Sequence, residues 1–132
     1  MPTLPHIYRI VAVVRVVDGD SGWVQCDAGF RQTTLVNYRL FGYDTPERHR
    51  GSTREKNLAV VAAVFADAFL KSTDTLWMRT EPDPDNFGRW LSEIWREDEA
   101  GDKTYLGAEL HEAGLASVWP SRWHEEFDTA KG

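Results

Sequence analysis

Residues 36–47 read Val-Asn-Tyr-Arg-Leu-Phe-Gly-Tyr-Asp-Thr-Pro-Glu. Val36, Tyr38 and Leu40 alternate with the residues between them, which predicts a strand with one buried face. Pro46 has no N–H and pushes the residue before it toward an extended conformation, so the chain must leave the strand there. The stretch therefore brings a guanidinium and two carboxylates to a strand end and the loop that follows, where functional sites are common.

The same residues also have a simpler interpretation as the start of a helix. Asp44 or Thr45 could be an N-cap, with Pro46 as the first helical residue and Glu47 as a first-turn acid. Taken alone, the stretch leaves both interpretations open. A capping-box pattern occurs later, at residues 52–55 (Ser-Thr-Arg-Glu), so the earlier residues are not needed to start the following helix.

Length and composition predict one folded domain. The chain has 132 residues, 42% of them hydrophobic, which is enough for a core and argues against disorder. We expect a single domain over residues 1–132, with frayed ends at 1–6 and 128–132. Cys26 is the only cysteine, which excludes an internal disulfide and a cysteine zinc cluster. No apolar run is long enough to span a membrane and no signal peptide is evident, so we expect a cytoplasmic protein.

The charge is unevenly distributed along the chain. The net charge of −6 argues mildly against a general nucleic-acid binder. Six Lys or Arg residues lie within 31–56, against three acids, whereas residues 81–102 hold eight acids against two arginines. The basic excess surrounds the opening stretch, although such clusters are usually only solvated surface.

The first third of the chain predicts an antiparallel meander. Residues 6–17 and 23–27 are rich in strand formers, and the Asp-Gly within 18–21 is a strong hairpin signal between them. Residues 33–41 form the third predicted strand. We interpret Asp18 as a residue that only forms the turn, whereas Asp20, at the start of the next strand, is available for another role.

The next element is a helix that covers the meander. It follows the capping box, and its apolar residues recur at helical spacing. The predicted buried positions are Leu58, Val61, Ala62, Phe65, Ala68 and Phe69.

The remainder supplies two more strands and a second helix. We predict strands at 75–80 and 87–95, separated by a proline-containing loop, and a helix at 105–113 closed by Gly114 as a C′ glycine. Residues 121–127 could add one or two helical turns. Five short strands with a helix after the third indicate an α+β fold, a partly open five-stranded barrel of the OB type.

Several polar residues are then available for a site near one barrel rim. Asp20 and Asp44 offer carboxylates, and Thr45 offers a backbone carbonyl. Hard oxygen ligands of this kind suit calcium rather than zinc or copper. So few protein ligands would leave room for water and for a phosphate oxygen of a substrate.

The charged residues around such a metal suit attack on a phosphodiester. Arg39 and Arg89 could bind phosphate oxygens and stabilise the charge that grows in the transition state. Glu47 could orient or deprotonate the attacking water.

Three motifs in this order resemble the staphylococcal nuclease (thermonuclease) family. They are residues 18–20 (Asp-Gly-Asp), 39–47 (Arg through Asp-Thr-Pro-Glu) and 85–89 (Asp-Asn-Phe-Gly-Arg). The resemblance extends from about Tyr8 to Trp119. It implies an OB-fold nuclease that uses calcium to cleave DNA and RNA and leaves 3′-phosphates.

The resemblance also implies a role for each matching position. The implied calcium ligands are Asp20, Asp44 and the carbonyl of Thr45; the implied catalytic residues are Arg39, Glu47 and Arg89. Asn86 and Phe87 stand where the best-known member has a Lys-Tyr pair that helps to hold a phosphate. The long basic C-terminal helix of that member is missing, and Trp119 could stack on a base instead.

Two other functions remain open from the sequence. The acidic net charge and the replaced phosphate-binding side chains would also suit a non-catalytic OB-fold module that binds nucleic acid or a protein. A purely structural adaptor is the third possibility. Low intracellular calcium, a restricted substrate or a viral (phage-encoded) origin would each explain how a nuclease without a signal peptide is compatible with its host cell, and the sequence does not choose among them.

Overall fold

The computed structural model describes residues 6–47 and 51–119. The elements are β1 (Ile7–Asp18), β2 (Ser21–Gly29), β3 (Gln32–Leu40), β4 (Tyr43–Asp44), α1 (Thr53–Leu70), β5 (Thr75–Thr80), β6 (Trp90–Glu97), β7 (Lys103–Tyr105), α2 (Leu106–Glu112) and β8 (Ser117–Val118). The helical turns expected at 121–127 and most of the ends expected to fray lie outside the described residues.

Five strands form a barrel. They follow the order β3-β2-β1-β5-β6 with antiparallel neighbours, and β3 then pairs with β6 in parallel to close the ring. The closing pairs are Tyr38 with Trp90, Arg39 with Leu91, and Leu40 with Ser92. The prediction of an α+β, OB-type barrel with a helix after the third strand is confirmed, and the barrel is closed rather than partly open.

The helix α1 begins as predicted, and its predicted buried face is confirmed in part, because Ala62 and Phe69 are buried and Leu58 and Phe65 pack against the core. The Ser52 hydroxyl oxygen accepts the Glu55 N–H at 3.1 Å, which confirms the capping box. The prediction that Val61 and Ala68 are buried is wrong, because both are exposed. The buried positions of α1 are Glu55, Ala59, Ala62, Ala63, Ala66, Phe69 and Leu70.

Close packing explains why alanines face the barrel. A Cβ placed on Gly19 would lie only 2.9 Å from the Cβ of Ala62, so the β1–β2 turn already contacts the helix directly. A valine on that face of α1 would push the helix away from the turn. Hydrophobic spacing alone did not show this, because it treats alanine and valine as equivalent.

The strand predicted at 87–95 begins later, at Trp90. The Gly88 N–H donates to the Asp85 carbonyl at 3.0 Å, and Gly88 has a φ of +77°, so residues 85–88 form a turn.

The C′ role of Gly114 at the end of α2 is confirmed by a φ of +75° and by the Leu115 N–H, which donates to the Leu110 carbonyl at 2.8 Å.

A two-residue ladder ties the opening stretch to the segment after α2. In this ladder Tyr43 pairs with Val118 and Asp44 with Ser117. The Trp119 N–H donates to the Gly42 carbonyl at 2.9 Å and extends the contact. This pairing was not predicted, and it brings Trp119 beside the loop that follows β3.

We predict that Val24→Ala lowers the free energy of unfolding by about 2 kcal/mol, because it removes buried methyl groups and leaves a cavity. Val24 is fully buried in β2. The matched control is Val64→Ala on α1, where the valine is 63% exposed and alanine is the better helix former. Chemical denaturation measures both variants, and equal losses of stability would contradict the assigned core.

Candidate active site

The β1–β2 turn docks onto the end of β3. The Leu40 N–H donates to the Asp20 carbonyl at 2.8 Å, and the Thr45 N–H donates to Asp20 Oδ2 at 3.0 Å. Gly19 makes this docking possible, because a Cβ there would lie 2.8 Å from Thr45 Cγ2. Asp20 is thereby fixed beside a loop that follows it by more than twenty residues in the sequence.

Arg39 bridges the two carboxylates predicted as metal ligands. Its Nη1 donates to Asp20 Oδ2 at 2.6 Å and to the Tyr43 carbonyl at 2.8 Å, and its Nη2 donates to Asp44 Oδ1. The side chain of Arg39 is 15% exposed and those of both aspartates are 11% exposed. The structure therefore brings Asp20, Arg39, Asp44 and Thr45 together as the sequence predicted.

The Arg39 charge and the Thr45 hydrogen bond offset only part of the cost of burying the charged Asp20 carboxylate. Burial raises the pKa of Asp20, and the Arg39 charge and the Thr45 N–H oppose this effect without cancelling it. Asp18 adds a further negative charge that also raises the pKa. A buried carboxylate in this situation is stabilised by additional positive charge.

The donor set at this site fits a hard cation. Two carboxylates from separate segments meet at one guanidinium, and the Thr45 backbone adjoins them. Oxygen donors of this kind suit calcium. Among residues 6–47 and 51–119 there is no group of three or more His, Cys, Asp or Glu side chains that could enclose a metal. Water and substrate oxygens would therefore have to complete the coordination shell.

Asp85 positions Arg89, the second predicted catalytic arginine. Asp85 Oδ1 accepts the N–H groups of Phe87 at 2.9 Å and Arg89 at 2.8 Å, while Oδ2 accepts Arg89 Nε at 3.1 Å. Desolvation tends to raise the pKa of Asp85, but these hydrogen bonds and the Arg89 charge lower it overall. The Arg89 guanidinium also lies 5.4 Å from the centre of the Phe87 ring.

A cleft of about 280 Å³ joins the two arginines to Trp119. Its walls include Arg39, Arg89 and Trp119, together with Phe41 and Leu91. Trp119 is 64% exposed, so its ring is accessible from solvent. The cleft thus contains three of the residues predicted for catalysis or substrate binding.

Six other predicted residues lie outside the walls of this cleft, and three of them, the predicted metal ligands Asp20, Asp44 and Thr45, adjoin it through the contacts of Arg39 and Asp20. Glu47 is exposed on the same loop, three residues beyond Asp44. Asn86 is exposed in the 85–88 turn, and Phe87 contacts Arg89 through its ring and Asp85 through its N–H.

The sequence interpretation missed Asp85 and Phe41 as parts of the site. The signal for Asp85 was its position two residues before Phe87 and four before Arg89 in a glycine-containing turn. Phe41 gave a weaker signal, because an exposed aromatic at a strand end has no distinctive pattern.

A model of the family described as "Staphylococcal nuclease homologue" matches residues 37–131. The chain belongs to the staphylococcal nuclease family. The resemblance seen in the motif order is confirmed, and family membership indicates nuclease-type chemistry on nucleic acids. The match covers Arg39, Asp44 and Arg89, whereas Asp20 lies before it and joins the site through its contacts with Arg39 and Thr45.

A search of the curated proteins found no match to this nuclease-family chain. Within its described residues, no helix is both long and apolar enough to cross a membrane.

We predict that Arg39→Met lowers the free energy of unfolding in chelator by about 3 kcal/mol, because it leaves two mostly buried carboxylates without their counter-charge. Adding Asp20→Asn to Arg39→Met should restore part of the loss. Denaturant titration of both variants measures the effect.

The matched control is Arg15→Met, which removes an exposed arginine of β1 and should change stability by no more than about 0.5 kcal/mol. A loss for Arg39→Met no larger than that of the control would show that the bridge does not stabilise the fold.

Proposed function

We propose that the protein is a calcium-dependent nuclease that hydrolyses phosphodiester bonds of DNA or RNA and leaves 3′-phosphates. The observation that supports this most strongly is the Arg39 bridge between Asp20 and Asp44 at one end of a cleft that also contains Arg89. Family membership supports the reaction class. The metal, the products and the individual roles below are our proposals.

Asp20, Asp44 and the carbonyl of Thr45 would hold the metal. Calcium, when bound, would polarise a phosphate oxygen and neutralise part of the charge of the reacting group. The raised pKa of Asp20 is consistent with a carboxylate that gains from a cation.

Arg39 can hold the carboxylates and still bind phosphate. A guanidinium has five N–H donors. Two hydrogens of Nη1 and one of Nη2 are used by Asp20, Tyr43 and Asp44. Within the described residues the Nε–H and one Nη2 hydrogen have no protein acceptor, and they would be the donors to phosphate oxygens.

Arg89 lies in the wall of the same cleft as Arg39 and is the second proposed phosphate-binding arginine. Asp85 engages its Nε, so the terminal Nη groups are the donors that can reach a phosphate. Because a guanidinium carries a positive charge, both arginines would stabilise the extra negative charge on phosphorus during attack.

Glu47 is the proposed general base. It would take a proton from the attacking water as the new O–P bond forms and the P–O5′ bond breaks. The departing 5′ oxygen then acquires a proton from solvent, and the phosphate remains on the 3′ side.

The cleft suggests how an acidic protein could hold its substrate. Phe41, Leu91 and Trp119 offer stacking and apolar contact beside the arginines, so binding need not depend on many phosphate contacts. We assign Trp119 to base stacking, and Asn86 and Phe87 to the substrate surface next to Arg89. The same exposed aromatics, with the net charge of −6, would also suit a non-catalytic binding module.

Digestion of single-stranded DNA, duplex DNA and RNA tests the proposal. We expect cleavage with calcium, none with chelator, and a fall of about 10²–10⁴-fold in kcat for Glu47→Gln. The control Glu112→Gln, an exposed acid on α2, should cleave normally. Removal of the terminal phosphate by a 3′-phosphatase identifies the product ends.

Two results would contradict the nuclease. Equal cleavage with calcium and with chelator would show that calcium is not required. Binding of nucleic acid without cleavage in any condition would favour the non-catalytic module.

A further inference from the structure

A second hollow, of about 400 Å³, adjoins the cleft. The two share Phe41 and Leu91 in their walls, so a chain bound at the arginines can continue directly into it. The ionisable residues in the walls of this second hollow are His6, Arg79, Glu81 and Glu93. None of these four residues has a role in the proposed reaction.

The strand register explains how the hollow is built. Leu91 and Glu93 are two residues apart on β6, so both point to the outer face of the barrel, about 7 Å apart. Arg79 of β5 lies opposite Glu93. The Glu81 N–H donates to the Leu91 carbonyl at 3.0 Å, which holds the start of the 81–86 loop against the same face.

The charges in the hollow do not suit a second phosphate. Two carboxylates, of Glu81 and Glu93, oppose the one guanidinium of Arg79. Arg79 and Glu93 stand opposite each other in register, yet no ion pair joins them in the part of the chain that the structure describes. The hollow therefore offers both donors and acceptors to a neutral polar group.

A nucleobase matches this combination. Phe41 is 56% exposed and presents a ring at the boundary between the two hollows, where a planar base can stack. Carboxylates accept hydrogen bonds from the amino groups of bases, and an arginine donates to base carbonyl and ring-nitrogen acceptors.

We propose that this hollow, formed by Phe41, Arg79, Glu81, Leu91 and Glu93, binds the base of a nucleotide next to the scissile phosphate and selects bases that carry an amino group. Thymine and uracil lack an amino donor for the two carboxylates, so they fit less well than guanine, cytosine or adenine. This inference rests on the proposed nuclease function, because it assigns a base preference to that reaction.

The test uses oligothymidylates in which one position at a time is replaced by guanine, cytosine or adenine. The unmutated chain, with calcium, should cleave next to the replaced base with a kcat/KM about tenfold higher than in oligothymidylate. Glu93→Gln and Arg79→Ala should reduce this preference to near one, where the preference is the kcat/KM on the replaced oligonucleotide divided by that on oligothymidylate. Both residues are exposed, so the variants should fold, and thermal melting checks this.

The matched controls are Glu112→Gln and Arg15→Ala, which make the same changes at exposed positions outside the hollow. Loss of the preference in the hollow variants alone supports the inference. Cleavage without any base preference, or with a preference that the hollow variants retain, overturns the inference and leaves the nuclease function intact. No cleavage by the unmutated chain overturns the nuclease function and the base site together.

Discussion

Two carboxylates share one guanidinium at the centre of this structure. Asp20 and Asp44 come from different segments, and both side chains are almost fully removed from water. Charges in such a position are strongly destabilising unless they are paired and hydrogen-bonded. Arg39 supplies the pairing, and the Thr45 N–H supplies a further hydrogen bond. The β1–β2 turn, the end of β3 and the following loop must therefore keep their relative positions.

The rest of the fold holds this arrangement in place. Closure of the barrel pairs Arg39 with Leu91, two residues after Arg89, so the second arginine reaches the same cleft. Asp85 orients Arg89 from within its own turn. The short ladder between β4 and β8 places Asp44 and Trp119 on neighbouring segments. The β3–β6 and β4–β8 pairings join segments that are distant in sequence, whereas the Asp85–Arg89 contact lies within one turn.

Sequence patterns predicted the parts of the fold that depend on local chemistry. The Ser52 capping box, the C′ glycine at 114 and the strand at 75–80 were all recognisable because neighbouring residues determine them. The strand expected to start at Phe87 starts at Trp90, because Asp85 organises a turn there. Val61 and Ala68 were wrongly expected on the buried face of α1, because hydrophobic spacing does not show where the helix packs closely, as Ala62 does against Gly19.

The candidate site was predictable to a similar degree. Motif order identified Asp20, Arg39 and Asp44, and the structure brings them into contact. The hydrogen bonds of Asp85 are local, and their signal was the spacing of Asp85 to Phe87 and Arg89 in a glycine-containing turn. The hollow beyond Phe41 could not be found from the sequence, because it arises from strand register and from segments that meet in three dimensions.

Calcium binding measured by isothermal titration calorimetry tests the central claim most directly, because it requires no turnover. We predict one calcium site in the unmutated protein, with affinity at least about tenfold weaker in Asp20→Asn and in Asp44→Asn, since each removes a charged oxygen ligand. Asp98→Asn, in an exposed turn between β6 and β7, should bind as the unmutated protein does. Undiminished calcium affinity in both site variants, or no calcium binding by the unmutated protein, would contradict this account.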